Sequence, residues 1–280
     1  MKQIATRLSL ILTALSPVLL GAQAAPPAPA YNVLTVFRET VKPGKGVAHN
    51  AHEEAWARAV AGAKPPNGFL AMTAMSGAPE SWYMSVYPTW AAYEAANKAE
   101  TPALAAIAKQ YSAKEDEFLS DGRGMVLTFR ADLSYGPPAD IAASRYFSVT
   151  RISVRPGQAD AYEENRKIVK AAHEKAGLSD GYSMWQAASG APAGTYFLFV
   201  ARKVLSEIDG GAAIHAVPAY QAALGGPEGQ KKMTANTLAA VISSQTDLFA
   251  FAPQQSVPPP EWVTADPAYW KHKVPVKKTP

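Results

Sequence analysis

His49, His52, Glu53 and Trp56 fall within one arc of roughly 100° if the stretch around them is helical. Two imidazoles and a carboxylate on adjacent turns could ligate a metal ion, or act as a base with an orienting acid. Further ligands would have to come from a strand, and none stands out. Two histidines three apart without a complete motif are a weak signal. The simpler reading makes them wet first-turn residues at the polar end of an amphipathic helix. No metal is expected, and His49, His52 and Glu53 remain weak candidates.

A third histidine, His173, lies along a stripe with Val169, Ala172 and Ala176, eleven residues after Tyr162. It could ligate a haem or serve as a base beneath a sheet. A buried histidine near a helix end bonded to a carbonyl is the more ordinary alternative. Arg38 and Arg151 each interrupt an apolar run. Pointing into a space between two sheets, they would make a paired site for a carboxylate or enolate. Otherwise each reaches solvent from a strand end, or pairs with Glu39 or a helix acid. Trp82, Tyr83, Tyr87, Met184, Trp185 and Tyr196 could line an aromatic pocket, or be core packing. The ligand-binding candidates are thus Arg38, Arg151, His173, Trp185, Tyr83 and Tyr196, and Arg151→Ala is expected to remove binding of an anionic aromatic ligand. No residue is assigned as catalytic and no cofactor is expected. His215 and His272 receive no role. The sequence has no Gly-rich phosphate loop, nucleophile elbow or complete metal motif.

The elements that must position these residues occur twice. Val41-Lys42-Pro43-Gly44 returns as Val154-Arg155-Pro156-Gly157, and Ser76-Gly77-Ala78-Pro79 returns as Ser189-Gly190-Ala191-Pro192, both 113 positions on. The same offset aligns Val36 with Val149, Arg38 with Arg151, Gly68 with Gly181 and Tyr83 with Tyr196. Such a period marks a duplication. Each copy opens with a strand, 33–41 and 146–154, rich in β-branched and aromatic residues. Pro-Gly ends the strand and a helix follows, about 158–176 in the second copy, with Gly177 as its left-handed cap. Strands 69–75 and 81–87, and again 182–188 and 195–201, form hairpins around Ser-Gly-Ala-Pro. Helices ending near 119 and 242 precede closing strands at 126–131 and 247–252. The order is β-α-β-β-α-β, the ferredoxin-like plan.

A sheet covered by helices on one face must bury the other, which two facing sheets would do. On the strand-Pro-Gly-helix openings at Pro43-Gly44 and Pro156-Gly157, and the hairpins at Ser76–Pro79 and Ser189–Pro192, the chain resembles the dimeric α/β-barrel superfamily. That superfamily includes antibiotic-biosynthesis-type monooxygenases. The resemblance covers roughly residues 31–252 and implies an α+β fold. In it, two fused ferredoxin-like repeats form an intramolecular dimeric α/β-barrel-like body. It transfers no catalytic residue, because the superfamily hosts many activities.

The expected organisation is a signal peptide at 1–24, repeats at 31–134 and 144–252, a linker at 135–143 and a Pro/Lys-rich tail at 253–280. Lys2 and Arg7 precede an apolar run from Leu8 to Ala22, and Ala22-Gln23-Ala24 gives a small-x-small cut after Ala24. The run is short for a membrane span and broken by Ser16-Pro17. The absence of cysteine closes lipoprotein anchoring, disulfides and thiolate metal sites. Cleavage leaves 25 bases against 23 acids, with Lys271, Lys273, Lys277 and Lys278 in the tail. That is a basic tail and not a groove for nucleic acid. Tail residues Trp262, Tyr269 and Trp270 are apolar enough to lie against the body.

These readings converge on a periplasmic or secreted protein, a monomeric pseudo-dimer or a homodimer, without a stable membrane anchor. It is expected to bind a small, partly apolar or anionic ligand between sheet and helices. The alternatives are a cofactor-free monooxygenase-like or isomerase-like enzyme, and a structural or partner-binding envelope protein.

Overall fold

A computed structural model describes residues 31–99, 101–179, 181–209 and 216–273. The signal-like segment, His215, Lys277 and Lys278 lie outside the described residues.

The first half of the chain forms β1 (Val33–Val41), α1 (Gly46–Gly62), β2 (Leu70–Ala74), β3 (Glu80–Tyr87), α2 (Trp90–Lys98), α3 (Pro102–Phe118) and β4 (Leu119–Phe129). The second half forms β5 (Tyr146–Val154), α4 (Ala159–Ala176), β6 (Ser183–Ser189), β7 (Thr195–Arg202), α5 (Pro218–Ala223), α6 (Gly226–Ala240) and β8 (Val241–Phe251). Local chemistry explains the boundaries. Gly44 and Gly157 sit at φ +77° and +76°, a region open to glycine at little cost, so each first strand can turn into its helix. Thr101 accepts from the Leu104 amide and Pro102 takes the first turn, which starts α3. Gly177, at φ +61°, ends α4.

The strands close into a barrel in the order β1-β3-β2-β8-β5-β7-β6-β4, and every pairing is antiparallel. Each half contributes four neighbouring strands, and two seams join them, β2 with β8 and β4 with β6. Successive side chains alternate between faces. Leu34, Val36, Trp82, Met84, Leu127, Phe147, Val149, Trp185, Phe197 and Phe249 therefore fill the barrel interior. The outer faces carry the helices.

The closing strands are longer than the sequence indicates. β4 begins at Leu119 and β8 at Val241, directly after their helices. Their first halves, Ser120–Gly124 and Ile242–Thr246, are polar or exposed and look like loops in sequence. Backbone pairing holds them, with Thr40 opposite Asp121 and Ser153 opposite Ser243.

The segment between the halves is anchored by a Tyr135–Tyr182 bridge and by the Tyr135 hydroxyl donating to the Leu178 carbonyl at 2.5 Å. After β8 the chain forms a short turn and two small helices, α7 (Pro260–Ala265) and α8 (Pro267–Trp270), across one end of the barrel. Val257 bridges Phe69. Trp270 is fully buried among the barrel side chains, and its Nε1 donates to the Ala142 carbonyl at 2.8 Å. No described helix is long and apolar enough to cross a membrane.

Candidate functional site

Arg38 and Arg151 both face the barrel interior, as their even register with Val36 and Val149 requires. They line a space of only about 30 Å³ together with Glu80 and Asp247. Arg38 is held by Glu80, with Nη2 to Oε1 at 2.6 Å and Nε to Oε2 at 3.3 Å, and stacks over Trp82. Arg151 reaches Gln245 at 3.4 Å. The space between the arginines thus already contains carboxylates, and it has room for about one water. Glu39, the other expected partner of Arg38, points to the opposite face because it is the next residue along the strand.

That opposite face holds the first notable cluster. α1 does not leave His49 and Glu53 wet, as the sequence reading expected: they are 1% and 3% exposed. The helix packs this face onto β1, and Phe118 of α3 lies beside both His49 and His52. Glu39, 3% exposed, supplies the strand residue that the sequence did not reveal. Its Oε2 lies 2.7 Å from His49 Nε2. One donor atom from each of Glu39, His49 and Glu53 lies within 4.8 Å of the others. His52 is outside this group; burial holds its pKa below the usual histidine value. For Glu53, burial first and the neighbouring Glu39 charge second push the carboxyl up to about 8. Burial raises Tyr83 well above the ordinary phenol, and the nearby carboxylates of Glu53 and Glu39 add to it.

The second half uses the corresponding space differently. At the 113-residue offset, Glu39 becomes Ile152, His49 becomes Tyr162, His52 becomes Asn165 and Glu53 becomes Arg166. Here a cleft of about 680 Å³ opens between the outer face of β5, β7 and β8 and the helices α4, α5 and α6. Its floor is apolar, from Ile152, Leu198 and Val200, and its helical wall carries Tyr162, Asn165, Arg166 and His173. Asn165 Nδ2 donates to Thr237 Oγ1 at 2.9 Å. The Arg166 guanidinium lies 5.4 Å from the Tyr182 ring centre. The Tyr162 hydroxyl and Asn165 Oδ1 are buried without a hydrogen-bond partner, and the buried Tyr182 hydroxyl and Arg166 Nε, from side chains that lie against each other, make no hydrogen bond of good geometry. Burial pushes the Tyr162 phenol up to about 12, so it remains a proton donor at neutral pH. His173 is 8% exposed, with Nδ1 2.8 Å from the Val169 carbonyl and its ring against Tyr135, Tyr182 and Tyr220.

Of the six ligand-binding candidates, His173 alone lines this cleft. Trp185 faces the barrel interior and borders an apolar cavity of about 550 Å³ beneath the tail residue Trp262. Tyr83 belongs to the first-half cluster. Tyr196 is fully buried, its ring tilted against Tyr162 at 4.9 Å and its hydroxyl donating to Glu163 at 2.7 Å, so it supports the cleft from below. Tyr162, Asn165, Arg166 and Tyr182 were missed as site residues. The available signal was their position, since each replaces a first-half residue of different chemistry.

No protein-family profile matches the chain, and no curated protein matches it in sequence. In structure it is similar to a Fusobacterium nucleatum protein described as a "putative monooxygenase". That protein is 13% identical with a TM-score of 0.54, over 80% of this chain and 93% of that one. It is likewise similar to an anthrone oxidase-like protein, 11% identical with a TM-score of 0.53, over 80% of this chain and 93% of that one. At these identities the likeness is one of fold alone: an α+β chain whose eight antiparallel strands close into a barrel.

Proposed function

We propose that this protein binds a small, partly apolar anion in the second-half cleft between the sheet and α4–α6. The observation that carries this reading is the set of buried polar groups on the cleft wall that make no hydrogen bond of good geometry. Two phenol hydroxyls and one guanidinium nitrogen offer donors, and Asn165 Oδ1 offers an acceptor. A buried polar group left unmade costs about 1–3 kcal/mol, so a carboxylate or enolate reaching these donors recovers more than it would from water. The apolar floor suits a ring or short aliphatic body.

The test is calorimetric titration of a panel of aromatic and aliphatic carboxylates. Arg166→Ala should weaken the best binder by roughly ten- to a hundredfold, the value of one charge-assisted hydrogen bond, with little change in thermal midpoint. Arg151→Ala, on the barrel interior, should bind like the parent protein. No binder in the panel, or equal binding by Arg166→Ala, would sink the reading.

A second reading, a cofactor-free enzyme acting on such a ligand, is favoured by His173, a titratable imidazole on the cleft wall, and draws on the fold shared with the anthrone oxidase-like protein. Oxygen consumption with an electron-rich phenol, lost in His173→Gln but with binding retained, would support it.

We also read the chain as two fused ferredoxin-like βαββαβ units, spanning 31–134 and 144–252, and as exported with a cut after Ala24. The 113-residue repeat and the same strand order in each half support the first statement. Intact mass of the protein from the exported fraction tests the second, with Ala25 expected as first residue.

A further inference from the structure

We propose that Glu39, His49 and Glu53 form a site for one first-row divalent cation, buried between β1 and α1. This site lies in the other half of the barrel from the cleft, and it stands or falls independently of ligand binding there.

Three features point to a cation. The first is the mixed donor set: one imidazole and two carboxylates, drawn from a strand and two successive turns of a helix. Donor atoms of the three lie within 4.8 Å of one another. Adjacent ligands of one such ion are about 3 Å apart and opposite ones about 4.4 Å, twice the usual ligand distance, so modest side-chain movements close the set. The 2.7 Å contact of His49 Nε2 with Glu39 Oε2 is near the spacing of adjacent ligands, about 3 Å.

The second feature is burial with incomplete balance. All three residues are at most 3% exposed; His49 pairs with Glu39, but the described salt bridges bring no Lys or Arg to either carboxylate and none reaches Glu53. Buried carboxylates are normally paired or bound to metal. Third, the Tyr83 hydroxyl is buried against both carboxylates but makes no hydrogen bond of good geometry, and Tyr83 is only 8% exposed. It offers one more oxygen to an ion in the cluster. One nitrogen with two or three oxygens suits Mn²⁺, Fe²⁺, Co²⁺ or Zn²⁺. Too few oxygens converge for Ca²⁺. The second half, with Ile152, Tyr162 and Arg166 at the corresponding positions, cannot hold the same ion.

The experiment uses the full mature chain, treated with chelator and dialysed, then titrated with Zn²⁺, Mn²⁺ and Co²⁺ separately. Binding is read by elemental analysis after gel filtration, by thermal midpoint and by the visible bands of bound Co²⁺. The expected result is one ion per chain and a higher midpoint for at least one metal. In Glu53→Gln and Glu39→Gln, which keep side-chain volume, the affinity should fall on the order of a hundredfold and the Co²⁺ bands should be lost. Circular dichroism of the variants separates loss of a ligand from loss of fold. Absence of stoichiometric binding in the parent protein overturns the proposal, and so does binding that survives both substitutions.

Discussion

Glu53 makes the most direct residue-scale prediction. Its carboxyl is raised from about 4.5 to about 8 in the folded chain, so folding takes up a proton between those values. A raised folded pKa gives stability that is fully present below pH 4.5 and disappears as pH climbs to about 8. Each pH unit within that window is worth up to about 1.4 kcal/mol. In chelator-treated protein, the urea midpoint should therefore fall between pH 5 and 8. Glu53→Gln carries no titrating carboxyl and should show a shallower fall; an unchanged slope would mean that Glu53 is ionised in the folded chain throughout. The sequence displayed this face of α1 but not its depth. Arg38 and Glu39, adjacent in sequence, look like natural partners, yet alternation along β1 sends them to opposite sides of the sheet. Only the packing of α1 and α3 shows that Glu39 belongs with His49.

At the scale of elements, the ends of the barrel differ. Strands β1 and β5 were legible to the residue, because their β-branched runs are bounded by Pro-Gly. The openings of β4 and β8 were not, since a strand held by backbone pairing at a wet barrel rim needs no apolar side chains. The cleft was legible in location, between sheet and helices, but not in composition. Asn165 and Arg166 announce nothing on a helix until α6 and Tyr182 enclose them. The tail also behaves as an element of the fold. Trp270→Ala removes a fully buried indole and its hydrogen bond to Ala142, which should cost about 3–5 kcal/mol. Chemical denaturation measures it; a loss below about 1 kcal/mol would show that the tail only rests on the surface.

For the whole molecule, the repeated Ser-Gly-Ala-Pro turns are where the two halves meet. Gly190 is at φ +77°, and a Cβ there would lie 2.2 Å from the Gly124 carbonyl oxygen and 2.6 Å from Met125 Cα. Both obstacles are backbone of the other half. Gly77, at φ +79°, would meet the Asp247 carboxylate at 2.3 Å, a side-chain end that can swing aside. Gly190→Ala should therefore destabilise by several kcal/mol and Gly77→Ala by about 1–2 kcal/mol, mostly from the strained backbone. Equal losses on urea denaturation would show that the seam between β4 and β6 yields as readily as a side chain.

Because each half closes the sheet of the other, the barrel has no free edge once complete, but it has two while it is being made. As the chain emerges during synthesis, residues 31–134 must wait with the rims of β2 and β4 unpaired. Unpaired strand edges are templates for joining other chains. The first half alone should thus be the aggregation-prone species, and the polar, glycine-containing start of β4 is the kind of edge that resists such pairing. A cell that delays the second half, by a stall or a truncation after residue 134, should accumulate self-associated first halves in place of a soluble monomer.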